Sequence, residues 1–306
     1  MRCPILPLAC GWLLLPALLL ASSVGAAPLG AAAAAGAARP HGARPPARAR
    51  ALDAADPVLL ASARIPRLAR LDAAQRSALA SRLDRLGVPE RVASYAFLQV
   101  GTPYRLGPLG EEAAPDTDGV IVLDATDCTA LNLVSTALAH AREAGGERAA
   151  MAIANYRGGE ISYATRFHFT TDRLDSCRWF ADITARVGGD SCRRRTVALN
   201  RRAGGGRWID IEWSRDREVV YVPRGFGTRL AREYDAGRIP AAMGIAFVQE
   251  SKLADGLDVV HESLLWKGRT LLHASSASGR VMTVPWDRFL AEQGARYDGF
   301  VLFEYR

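Results

Sequence analysis

The chain is nearly without lysine. Of its 39 basic residues only Lys252 and Lys267 are lysine, and the rest are arginine. Cysteine is scarce too, with five in 306 residues. Several signatures are missing altogether. No G-x-S-x-G occurs, which argues against a serine hydrolase of the nucleophile-elbow type. No Walker loop and no G-x-G-x-x-G opens a helix after a strand, so nucleotide binding has no support. C-x-x-C and H-E-x-x-H are also absent, and no metal or other cofactor is expected. No repeat at solenoid periods is visible. The formal charge is +7, but the densest basic stretch, "CRRRTVALNRRAGGGR" at 192–207, lacks interleaved aromatics. Nucleic acid is therefore not expected as a partner. That stretch reads as a solvated, mobile loop.

The longest apolar run lies at the start, in "MRCPILPLACGWLLLPALLLASSVGAAPLG". An early Arg, a run from about Gly11 to Leu20, and small residues around Val24-Gly25-Ala26 fit a secretory signal peptide over 1–26. The run is too short for a membrane span, so no integral membrane segment is expected after cleavage. Residues 27–50, dominated by Ala, Pro, Gly and Arg, read as a disordered linker. Residues 51–306 suffice for a single domain with a helical part at 51–98. Export points to the periplasm or cell envelope, where free thiols are unusual. Cys3 and Cys10 leave with the leader. Cys177 and Cys192 can close a disulfide loop, although two reduced cysteines too far apart to bond remain the alternative. Cys128 is then the odd thiol, a flag for reactivity.

Helical spacing marks "DAAQRSALASRLDRLG" and "PERVASYAFLQVG" as helices. "VIVLDATDC" runs as extended chain into a helix, "CTALNLVSTALAHA", that Thr126 or Asp127 can cap. A shorter helix follows near 147–155. Then β runs dominate: "GEISYATRFHFTTD" loosely, "RWIDIEWS", "EVVYVP", "MGIAFVQE", "DVVHESLLW", "TLLHASS", "GRVMTV" and "GFVLFEYR". "GTRLAREYDAG" and "PWDRFLAEQG" interrupt them as helices. Helices first and antiparallel strands last predict an α+β fold.

A thiol at a helix start is favoured as thiolate by the helix dipole. It still needs a base, usually His. His140 lies about 18 Å away along the same helix at 1.5 Å per residue, too far to act. His261 and His273 fall on adjacent predicted strands, where a hairpin sets two imidazoles side by side. Two structural histidines in a sheet would be the alternative, as would a zinc site of Cys128, His261 and His273, whose spacing matches no common zinc signature. With Cys128, the set fits a nucleophile, a base and a group orienting the base.

Four stretches now carry a resemblance: "GTPYRLG" at 101–107, "TDCTALNLV" at 126–134, "TRFHFTTD" at 165–172, and "GLDVVHESLLWKGRTLLHASS" at 256–276. The sequence resembles the N-acetylmuramoyl-L-alanine amidase-like family of the NlpC-type papain-like superfamily of cell-wall hydrolases. The resemblance implies a papain-like fold, with the nucleophile helix packed on an antiparallel sheet. It implies Cys128 as nucleophile, His261 as base and His273 as orienting residue. Tyr104 and Asp127 match cleft positions, and Arg166 and His168 match a stretch near the substrate. The implied activity is hydrolysis of the amide between N-acetylmuramic acid, including its anhydro form, and L-alanine in peptidoglycan or muropeptides, through a thioester. The implied alternatives are a γ-D-glutamyl-diamino acid endopeptidase and a non-catalytic wall-binding module.

Overall fold

The computed structural model describes residues 68–110, 114, 116 and 121–306. The expected leader (1–26) and linker (27–50) lie outside the described residues, as does the start of the helical part at 51–67. α1 (Ala73–Leu83) begins at Asp72 because a capping box closes there. Asp72 Oδ1 accepts from the Gln75 N–H at 2.8 Å, and Gln75 Oε1 accepts from the Asp72 N–H at 3.0 Å. α2 (Val88–Phe97) carries Pro89 in its first turn, where no helical partner is lost. Both helices lie where the spacing predicts them.

Then follow α3 (Cys128–His140), α4 (Glu147–Asn155), α5 (Thr170–Ser176), β1 (Phe180–Asp182), α6 (Thr184–Gly188), β2 (Arg193–Leu199) and β3 (Arg215–Pro223). The chain continues through α7 (Leu230–Asp235), β4 (Ala242–Val248), α8 (Glu250–Leu253), β5 (His261–Trp266), β6 (Thr270–Ser275), β7 (Arg280–Pro285), α9 (Trp286–Gln293) and β8 (Gly299–Tyr305). Among the described residues the strands form one eight-stranded sheet in the order β2-β3-β8-β4-β5-β6-β7, with β1 also on β8. Every pairing is antiparallel. The fold is α+β, as the order of elements predicts.

Side chains alternate between the two faces of the sheet. Leu264, Leu272, Val301 and Phe303 join α2, α3 and α4 in one core. Ile245, Leu265, Leu271, Phe300 and Leu302 join Trp286 and Phe289 of α9 in the other. β4 and β8 approach so closely that a Cβ on Gly244 would stand 1.9 Å from the Phe303 ring. α3 is buried from Ala130 through His140, on all sides rather than on a single stripe. It packs between α2, α4 and strands β5 and β6, which fixes where its N-terminus opens.

Two β expectations and one loop expectation fail. "RWIDIEWS" is loop, because Asn200 gathers its backbone: Asn200 Oδ1 accepts from the Trp208 and Ile209 N–H groups at 3.1 and 2.8 Å. The first half of the supposed mobile loop at 192–207 is strand β2, whose first four residues are exposed arginines and a threonine on a sheet edge. "GEISYATRFHFTTD" makes only an isolated bridge, Tyr156 to Arg166, before turning into α5. The extended stretch before Cys128 likewise makes one bridge, Tyr104 to Thr126.

Candidate active site

Cys128 is the first residue of α3, and Asp127 is its cap. Asp127 is buried, with both carboxylate oxygens occupied. Oδ1 accepts from the Ala130 N–H at 2.8 Å and Oδ2 from the Gly107 N–H at 2.9 Å. Asp127 therefore closes the helix and pins the 101–107 loop, where the resemblance implied a substrate contact. Cys128 is half-buried, and its sulfur lies 4.0 Å from Thr129 Oγ1. The Glu262 backbone N–H is directed at that sulfur. Burial, with the carboxylates of Asp127 and Glu262, pushes the thiol up to about 12. The helix terminus alone predicts the opposite direction. Its effect is typically 0.3–1 kcal/mol, below one pKa unit, and it is outweighed here.

His261 opens β5, and His273 lies on β6 beside it. His261 Nε2 lies 3.3 Å from His273 Nδ1 and 3.2 Å from Ser263 Oγ. The hairpin thus brings the two imidazoles together, edge to face with centroids 5.5 Å apart. Phe247 stands 5.2 Å from the His261 ring and Phe289 5.6 Å from the His273 ring. Burial, then the charges of His273 and Arg296, lowers His261 to about 3. Burial lowers His273 to about 4. Thiol and imidazoles are accordingly all neutral near pH 7. Nε2 of His261 is engaged by His273 and Ser263, and Nδ1 is its ring nitrogen without a hydrogen bond among the described residues.

The other expected residues divide. Tyr104 is half-buried beside Thr126, two residues before Cys128, and so belongs to this neighbourhood. Arg166 does not reach a surface. It is 2% exposed, ion-paired with Asp116, and donates to Leu109 O at 2.8 Å and Tyr156 Oη at 3.0 Å. His168 holds the preceding turn through a 2.7 Å contact to Tyr163 O. The expected Cys177–Cys192 disulfide is not formed, and both thiols are free. Cys177 lies in the helix-side core and donates to Ile153 O at 3.3 Å. Cys192 packs against the opposite core and donates to Thr184 O at 3.4 Å. Among the described residues no group of three or more His, Cys, Asp and Glu could hold a metal ion.

Sequence reasoning missed Ser263 and the buried acid Glu262, although "HES" in an otherwise apolar strand was a visible signal. Arg173, whose Nη2 lies 2.6 Å from Glu262 Oε2, was missed as well.

Solved structures of similar fold include a Bacteroides uniformis N-acetylmuramoyl-L-alanine amidase, at 19% identity and a TM-score of 0.53, over 72% of this chain and 99% of that one. A Legionella pneumophila protein aligns at 18% identity and a TM-score of 0.57, over 76% of this chain and 93% of its own. At such identities the likeness speaks to fold. No curated protein matches the chain. The N-acetylmuramoyl-L-alanine amidase-like model, AmiA-like, matches residues 92–295, from α2 through α9 and across Cys128, His261 and His273, so the chain belongs to that family.

Proposed function

We propose that the protein is an exported cysteine amidase with a papain-like, NlpC-type arrangement. It would cut the amide between N-acetylmuramic acid, intact or anhydro, and L-alanine in peptidoglycan fragments, working in the periplasm or cell envelope. The family supports an amidase acting on peptidoglycan. The observation that carries the cysteine reading is the imidazole pair, with Nε2 of His261 tied to Nδ1 of His273 and the Cys128 sulfur facing the backbone of the next residue, Glu262.

The chemistry follows from the neutral pair. With Nε2–H of His261 donating to His273 Nδ1, the lone pair of His261 Nδ1 is the base. It takes the thiol proton as sulfur attacks the lactyl carbonyl. The protonated His261 then gives that proton to the departing amine of L-alanine, and a thioester remains. Water, deprotonated by His261, attacks the thioester; the muramic carboxyl is released and sulfur regains its proton. Ser263 and His273 hold the ring in the required tautomer.

Incubation with purified muropeptides tests the reading. Wild type is expected to release the intact stem peptide with a free L-alanine amine, read by mass spectrometry. Cys128→Ala is expected to lose at least about 1,000-fold in kcat with little change in thermal stability. Retained turnover in that variant would remove the nucleophile, and cleavage after γ-D-glutamate would assign the other bond.

A further inference from the structure

β5 carries one acidic side chain, and it is buried. Glu262, 1% exposed, sits between His261 and Ser263 and so points to the opposite face, toward α3 and α5. Four side chains donate to it. From α5 come Thr170 Oγ1 at 2.5 Å and Arg173 Nη2 at 2.6 Å. From the start of α3 come Asn132 Nδ2 at 3.3 Å and Thr129 Oγ1 at 3.5 Å. Asn132 is itself fixed. Its Nδ2 also donates to the Cys128 carbonyl at 3.3 Å, and its Oδ1 accepts from Tyr305 Oη at 2.7 Å. The Arg173 guanidinium lies 5.0 Å from the centroid of the Phe180 ring.

We propose that Glu262 is a positioning residue of this active site: its carboxylate ties the opening turn of α3 to β5 and sets the Cys128 sulfur against the His261 edge of that strand. The same carboxylate, beside the thiol, opposes loss of the sulfur proton. The proposal rests on the cysteine-hydrolase reading above. Stability alone does not explain the arrangement. A buried ion pair gains little over an apolar pair of similar volume, yet this one sits where the nucleophile helix meets the histidine strand. The tie also joins the two elements that carry the reacting atoms, whose separation must hold within a fraction of an ångström. The charged and titratable groups around Cys128 are Asp127 from its own cap, Glu262 from β5, and Tyr297 before β8. Those around Glu262 are Arg173 from α5, Asp127, Cys128, Asp258 and Tyr305. Removing the Glu262 charge leaves Asp127 in place, so the expected effect on the thiol is partial.

Glu262→Gln keeps the shape and removes the charge. The alkylation rate of Cys128 with iodoacetamide is expected to rise at about one pH unit lower than in wild type. Turnover of purified muropeptides is expected to move the other way, with kcat down about 100-fold and KM nearly unchanged. Faster alkylation with slower turnover is a combination that simple loss of folded protein does not produce. Because the single variant strands the Arg173 charge, Glu262→Gln/Arg173→Met is run beside it. It keeps the expectation if Glu262→Gln fails to fold. Glu262→Asp retains the charge but shortens the tie, so its alkylation profile should match wild type while kcat falls. An alkylation profile identical to wild type in both Gln variants, or a kcat within about twofold of wild type, overturns the proposal. The alkylation arm needs no turnover, so it judges Glu262 even if Cys128→Ala shows the hydrolysis to be independent of the thiol.

Discussion

A thiol at the first residue of a helix feels the partial positive charge of unsatisfied N–H groups, and this makes such positions attractive for thiolates. At Cys128 the surroundings reverse the outcome. Burial and two neighbouring carboxylates hold the proton on sulfur, at about 12, while His261 is held down near 3. A preformed thiolate–imidazolium pair is therefore absent near neutrality, and proton transfer must accompany attack. Iodoacetamide should alkylate Cys128 slowly at pH 7, with the rate rising about tenfold per pH unit through pH 10 and without a plateau near neutrality. A flat, fast profile from pH 5 upward would show an ion pair instead. Since the imidazole bases stay unprotonated down to about pH 4, hydrolysis should keep its acidic limb well below that of an unperturbed histidine at 6.5.

At the scale of the element, Asp127 decides how α3 begins. Its two oxygens satisfy the Ala130 and Gly107 amides, one in the helix and one in the 101–107 loop. Asp127→Ala should cost about 1–3 kcal/mol, combining a lost cap with a buried amide left unpaired, and urea unfolding would measure it. An unchanged midpoint would mean that water replaces both bonds. Other elements show why the sequence was legible in part. The β4, β5, β6, β7 and β8 runs alternate or are uniformly apolar, so burial decides them and their signal is strong. The histidine hairpin was readable for the same reason. The 208–213 segment carries the same aromatic and branched residues, but its amides are taken by Asn200, a contact no period announces. β2 was hidden in the reverse sense, since an edge strand exposes charge and looks like loop. Glu262 is visible as a break in an apolar strand, but its role shows only once its partner, Arg173, is brought from 89 residues away.

At the scale of the whole molecule, the α+β class was legible from the order of elements, whereas the pairing of the last strand with β1, β3 and β4 was not. The described histidines also share one property. His140, His168, His261 and His273 are all held below 6.5, with burial the largest cause in each. For such a group the unfolded chain binds the proton first as pH falls. Its contribution to stability is complete above about 6.5 and is lost as pH drops toward the folded values, near 3 for His261 and near 4 for His273. Asp127, Asp182 and Asp258 act in the opposite sense, because burial raises their carboxyls and the folded chain then takes up protons first. A single melting curve against pH mixes the two, and a variant separates them. Wild type should lose melting temperature between pH 7.5 and pH 5. His261→Gln/His273→Gln should lose distinctly less over the same interval, since its glutamines carry no proton to exclude. Differential scanning fluorimetry at both pH values makes the comparison. Equal losses in the two proteins would place the acid sensitivity outside the imidazole pair and would mean that water reaches these rings readily enough to keep them near 6.5.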